Sequence, residues 1–108
     1  MFRQGDVLVV PIPDSQLPEA VVPLARDARG KLVLALGEAT GHAHAVGAPD
    51  ANLLADAADL DRRFLRIVTE AVLTHEEHDL IPLPPGLYQV VRQREYVRGG
   101  PRSRSVED

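Results

Sequence analysis

Short apolar runs alternate with polar breaks marked by glycine and proline, and this pattern predicts a mostly β protein. Asp6-Val7-Leu8-Val9-Val10 follows Gly5 as a β-branched run and reads as a strand. Pro11 and Pro13 end it, because neither can donate to a ladder. Residues 11–23 carry Pro11, Pro13, Pro18 and Pro23 and read as an extended surface loop. After a turn at residues 26–30, residues 31–36 read as a second strand, closed by Gly37. His42-Ala43-His44-Ala45-Val46 alternates and reads as a third, ended by Gly47 and Pro49.

Residues 50–63 admit two readings. Leu53, Leu54, Ala57 and Leu60 lie at helical spacing. The same stretch fits a hairpin in which residues 52–55 and 64–73 are strands joined by an Asp-rich turn. The hairpin is preferred. Phe64-Leu65-Arg66-Ile67-Val68-Thr69 is rich in strand formers, whereas a helix of Ala and Asp would carry a thin apolar stripe. Leu80-Ile81 is a short run stopped by Pro82, Pro84, Pro85 and Gly86.

Residues 87–97 form the clearest long strand. Tyr88, Val90, Arg92, Arg94 and Tyr96 fall on one face, and Leu87, Gln89, Val91, Gln93, Glu95 and Val97 on the other. Gly99-Gly100-Pro101 then breaks the chain. The expected fold is a small single-domain β-barrel or sandwich of about six or seven short strands. It spans residues 1–98 and leaves a polar, flexible tail at residues 99–108.

Composition sharpens this picture. A chain of 108 residues fits one domain. Aromatics are 4% with no Trp, so the core must be built from Val, Leu, Ile and Ala. The formal charge of −4 argues against nucleic-acid binding by bulk electrostatics. Arginines nevertheless group at Arg62, Arg63 and Arg66, and again at Arg92, Arg94, Arg98, Arg102 and Arg104. Solvated strand faces and a basic tail account for them better than a phosphate-binding patch. No apolar run reaches the roughly 18 residues of a membrane-spanning helix. Met1-Phe2-Arg3-Gln4-Gly5-Asp6 lacks the basic-then-apolar order of a signal peptide, and cysteine is absent. Both features lead us to expect a cytoplasmic protein without thiolate metal sites.

The chemistry gathers in the histidines. All four lie in two segments, Gly41-His42-Ala43-His44 and Thr74-His75-Glu76-Glu77-His78. On a strand, residues two apart share a face with Cα atoms roughly 6.5–7 Å apart. His42 and His44 could therefore converge on one ion. His75 and His78 are three apart, and on a straight strand would point to opposite faces. Thr74 followed by Glu77 matches a capping box, so one helical turn at most is expected to bring them together.

His42, His44, His75 and His78 are accordingly the candidate ligands of one divalent transition metal. Zinc is the first choice, with iron, manganese, nickel or copper also suited to sulfur-free sites. Glu76 and Glu77 are the candidate catalytic carboxylates, acting as general base, ligand or orienter of a histidine. The competing account leaves the histidines either as exposed loop residues or as residues hydrogen-bonded to the adjacent carboxylates.

His-x-His after a glycine-rich turn, with a later histidine and a proline–glycine turn, loosely resembles the cupin superfamily. That resemblance implies a small β-barrel holding a metal through histidines and a glutamate. The cupin pattern places a glutamate shortly after His-x-His, where this chain has Ala45-Val46-Gly47-Ala48-Pro49. Its later histidine follows the proline–glycine turn, whereas His75 and His78 precede Pro84-Pro85-Gly86. The chain is more closely similar to a group of small uncharacterised bacterial and phage proteins. The shared stretches are Gly37-Glu38-Ala39-Thr40-Gly41-His42-Ala43-His44, Leu73-Thr74-His75-Glu76-Glu77-His78, Leu83-Pro84-Pro85-Gly86 and Gln93-Arg94-Glu95-Tyr96. This similarity implies no function.

Three functions remain open on the sequence. The first is a metal-dependent hydrolase or other small-molecule enzyme. The second is a non-catalytic, homo-oligomeric binding module with a structural metal or a pH-sensitive histidine cluster. The third is a metal-free nuclease using histidines as acid and base. Neither a membrane nor, given the charge, a nucleic acid is the expected partner.

Overall fold

The computed structural model describes residues 1–36 and 42–93. Among them are ten strands: β1 (Phe2–Gln4), β2 (Val7–Pro11), β3 (Val21–Pro23), β4 (Leu32–Leu36), β5 (Ala43–Val46), β6 (Asn52–Asp56), β7 (Asp59–Ile67), β8 (Ala71–His75), β9 (His78–Leu83) and β10 (Gly86–Arg92). They form two antiparallel sheets. The larger runs β1-β2-β10-β7-β6-β3, and the smaller runs β4-β5-β8-β9. The protein is mostly β, as the alternation predicts. Among the described residues it is not a closed barrel, because each sheet ends in an edge strand on both sides. Pro23 and Pro82 both lie in edge strands, where a missing ladder donor costs least.

Both sheets feed one aliphatic core. Val7, Val9, Leu53, Leu65, Ile67 and Val90 come from the larger sheet, and Leu32, Leu34, Val46, Leu73 and Leu83 from the smaller. Burying such side chains contributes about 1.5–3 kcal/mol each. In β10 the core-facing residues are Tyr88 and Val90, the alternation read from the sequence. Phe64 and Leu87 are buried on the opposite face of the larger sheet. The proline-rich segment leaves the end of the β2–β10 ladder and reaches Arg66 of β7. The Ile12 N–H donates to the Leu87 carbonyl at 3.0 Å, and Asp14 accepts from Arg66 at 3.2 Å. That segment is more structured than a plain loop, with a 3-10 turn at Asp14–Gln16 and the short β3.

Several expectations need correction. The preferred hairpin at residues 50–63 is present, but its turn is Ala57-Ala58 and β7 starts at Asp59. Asp56 closes that turn by accepting the Ala58 N–H and pairing with Arg62, both at 2.9 Å. The run expected at residues 64–73 is two strands, split at residues 68–70 into β7 and β8, which belong to different sheets. No helical turn gathers His75 and His78. They are direct partners across the β8–β9 hairpin, whose two-residue turn is Glu76-Glu77. Cross-strand partners share a face, so a spacing of three achieves what one helical turn was expected to do. The glycine-rich turn at residues 37–41, the continuation of the last strand to residue 97, and the tail with Arg94, Arg98, Arg102 and Arg104 lie outside the described residues. No helix among the described residues is long and apolar enough to cross a membrane.

Candidate metal centre

Two hairpin turns and the start of β5 meet at one corner where the two sheets approach each other. His42 precedes β5 and His44 lies within it. His75 ends β8 and His78 begins β9. The β1–β2 hairpin adds its two-residue turn, Gly5-Asp6, between the paired residues Gln4 and Val7. All four histidines come together. Ring centroids lie 4.3 Å apart for His44 and His75, 4.6 Å for His75 and His78, 5.7 Å for His42 and His75, and 5.9 Å for His44 and His78. Two imidazoles sharing a tetrahedral zinc at about 2.0–2.1 Å need centroids roughly 5 Å apart. The observed ring spacings fall on either side of that value, but among the described residues the ligand atoms that come within 4.8 Å of one another are those of His42, His75 and Glu76, without His44 or His78.

Gln4 organises the buried side. Its ladder neighbourhood is unusual, because the β8–β9 register shifts between Leu73 and His75. Beside this bulge, the Gln4 amide nitrogen donates to the Leu73 carbonyl at 3.1 Å and the Asp79 carbonyl at 2.9 Å. With both amide protons spent on carbonyls, the Gln4 Oε1 must face His44 Nδ1, 2.9 Å away. His44 Nδ1 therefore carries the proton and donates, which leaves the Nε2 lone pair free. His44 is 2% exposed. Burial, reinforced by His75, pushes its pKa down to about 4, so the ring is neutral at pH 7.

The other rings differ in how their nitrogens are used. His42 Nδ1 lies 3.3 Å from Glu77 Oε2. A histidine whose Nδ1 faces a carboxylate has its Nε2 free for a ligand. His75 Nδ1 instead accepts the Glu77 N–H at 3.0 Å. Ligation by His75 thus exchanges that hydrogen bond for a metal bond, or turns the ring. His42, His75 and Glu76 each offer one ligand atom, and those atoms lie within 4.8 Å of one another. Glu76 and Glu77 are exposed at the hairpin turn. Glu76 also accepts the Ala43 N–H at 3.1 Å, and that bond and one to its own N–H hold its carboxyl below the usual carboxylate range. This clamps the turn to the segment between His42 and His44.

Sequence reading misses Gln4, Gly5, Asp6 and Arg92. Asp6 Oδ2 accepts from Arg92 Nε at 2.9 Å, while Asp6 Oδ1 lies 3.7 Å from His44 Nε2. Gly5 has φ +60, as the first residue of a two-residue hairpin turn requires. A Cβ there would stand 2.8 Å from His78 Nε2 and 3.3 Å from His44 Cε1. Gly5→Ala should therefore cost about 1–2 kcal/mol in backbone strain alone and should also displace His78. Urea unfolding of the variant measures the first effect, and the His78 ring resonances in an NMR spectrum report the second. Two of the grouped arginines, Arg62 and Arg66, are held by Asp56 and Asp14.

The fold and this corner define a class: a small two-sheet β domain with a histidine cluster buttressed by a buried glutamine. The chain belongs to the family described as a domain of unknown function (DUF8820), whose match covers residues 3–93. That span includes every residue of the cluster. No curated protein and no solved structure matches the chain.

Proposed function

We propose that this protein is a metal-binding β domain in which His42, His44, His75 and His78 supply the ligands for one divalent transition metal, zinc first. The observation that carries this reading is the arrangement at His44. A buried neutral imidazole is fixed by Gln4 so that its Nε2 lone pair stays free, with the rings of His75 and His78 centred 4.3 and 5.9 Å from its own. Burying a polar nitrogen without a partner costs free energy, and an ion among these rings removes that cost. Nitrogen and carboxylate donors without sulfur suit Zn²⁺, and also Fe²⁺, Mn²⁺, Ni²⁺ or Cu²⁺. A bound ion of this kind polarises a substrate oxygen or acidifies water. The chemistry that follows is hydrolysis or another small-molecule transformation, with Glu76 and Glu77 at the exposed turn to move protons.

Titration of chelator-stripped protein with Zn²⁺ tests the reading. The wild type should take up about one equivalent, and the double variant His42→Ala, His75→Ala should take up none. Equal stoichiometry in the two would remove the histidines from the site.

A further inference from the structure

The carboxylate that faces the buried side of the cluster is neither Glu76 nor Glu77. It is Asp6, in a different hairpin and far away in sequence. Gly5 brings the β1–β2 turn against the rings so closely that no side chain fits between. Asp6 then follows at the second turn position, where its backbone carbonyl accepts the Gln93 N–H at 2.7 Å. Its Oδ2 is spent on Arg92, which leaves Oδ1 directed at His44 Nε2.

That separation of 3.7 Å is too long for a hydrogen bond. Since the proton of His44 sits on Nδ1, facing Gln4, the two atoms meet lone pair to lone pair. His44 is 2% exposed and Asp6 35%, so the facing lone pairs are open to solvent on the Asp6 side, and a cation or a water between them relieves the arrangement. Two donors on one tetrahedral ion lie roughly 3.4 Å apart, from metal–donor distances of about 2.0–2.2 Å.

We propose that Asp6 is itself a ligand of the ion, binding through Oδ1 beside His44 Nε2, with Arg92 as the residue that positions it. This rests on the metal-binding reading above. It changes the donor set from histidines alone to histidines plus one carboxylate, drawn from three separate hairpin or strand ends. Imidazole and carboxylate donors together suit zinc, iron and manganese.

The test is cobalt titration of the stripped full-length protein, read by the visible absorption of bound Co²⁺. Asn is well tolerated in two-residue turns, so Asp6→Asn keeps the hairpin. It should bind Co²⁺ on the order of 100-fold more weakly or worse, given that loss of an outer-shell partner alone costs 10–100-fold, and its Co²⁺ bands should shift. Asp14→Asn, which touches only Arg66, should behave as wild type. Unchanged affinity and bands in Asp6→Asn would overturn the assignment while leaving the histidine site standing. No Co²⁺ uptake by the wild type would overturn the metal site and this assignment together. A second variant covers misfolding of Asp6→Asn. Glu76→Gln, Glu77→Gln removes the two carboxylates of the neighbouring hairpin turn, so a carboxylate infrared band that still moves on Zn²⁺ addition supports Asp6, and no moving band counts against it.

Discussion

Gln4→Ala should lower the unfolding free energy by about 3 kcal/mol, a large loss for one surface-turn neighbour in a small domain. The Gln4 side chain makes three hydrogen bonds, to the Leu73 and Asp79 carbonyls and to His44 Nδ1. Truncation removes the partner of two buried groups, the Leu73 carbonyl and His44 Nδ1, and of the part-buried Asp79 carbonyl, and each buried group left unpaired costs about 1–3 kcal/mol. The loss should exceed that of a cavity alone, because Gln4 ties β1 of one sheet to β5, β8 and β9 of the other. Gln4→Glu separates the two effects. It conserves volume but turns a carboxylate oxygen toward the Leu73 and Asp79 carbonyls, and should be at least as damaging. Denaturant unfolding with an unchanged m-value checks both variants. A Gln4→Ala loss below 1 kcal/mol would mean that Gln4 does not organise this corner.

The second large effect is on pH. Unfolded, His44 titrates near 6.5, and folded it titrates at about 4 because burial, and then the nearby His75, disfavour its charged form. Above pH 6.5 both states are neutral at this ring and stability is unaffected. Below it the unfolded chain takes up a proton that the folded chain refuses, so stability falls as pH drops from 6.5 to 4. At 1.36 kcal/mol per pH unit this amounts to about 3 kcal/mol. Metal-free protein should show this slope in denaturant melts at stepped pH, and His44→Gln should lose most of it. A wild-type curve flat over that range contradicts a buried neutral His44.

The histidine cluster was legible in the sequence because its signal is compositional and local. Two segments hold every histidine, and strand alternation puts His42 and His44 on one face. The hairpin that aligns His75 with His78 was harder to read. Glu76-Glu77 lacks the Asn, Asp or Gly that marks a two-residue hairpin turn, so the Thr74-x-x-Glu77 pattern favoured a helical turn instead. Gln4 and Asp6 were illegible for another reason. Their role depends on which strand of the second sheet lies against the β1–β2 hairpin, a long-range fact. Gly5-Asp6 announces a turn, but nothing in Arg3-Gln4-Gly5 announces a buried glutamine. The strand count fell short because β1 is a three-residue edge strand without an apolar run, β3 lies in the stretch read as a proline-rich loop, and β7 and β8 were read as one strand.

The family match gives this reading a frame but no chemistry, since it covers residues 3–93 under a description without function. The corner where His42, His44, His75 and His78 meet is where any metal chemistry of this protein would take place. The most direct test is elemental analysis by inductively coupled plasma mass spectrometry on untagged protein purified without chelators. The account predicts about one equivalent of a single transition metal per chain, zinc first. No metal as purified, and none taken up on titration with zinc, cobalt, iron or manganese, would contradict it and leave the four histidines as a metal-free cluster.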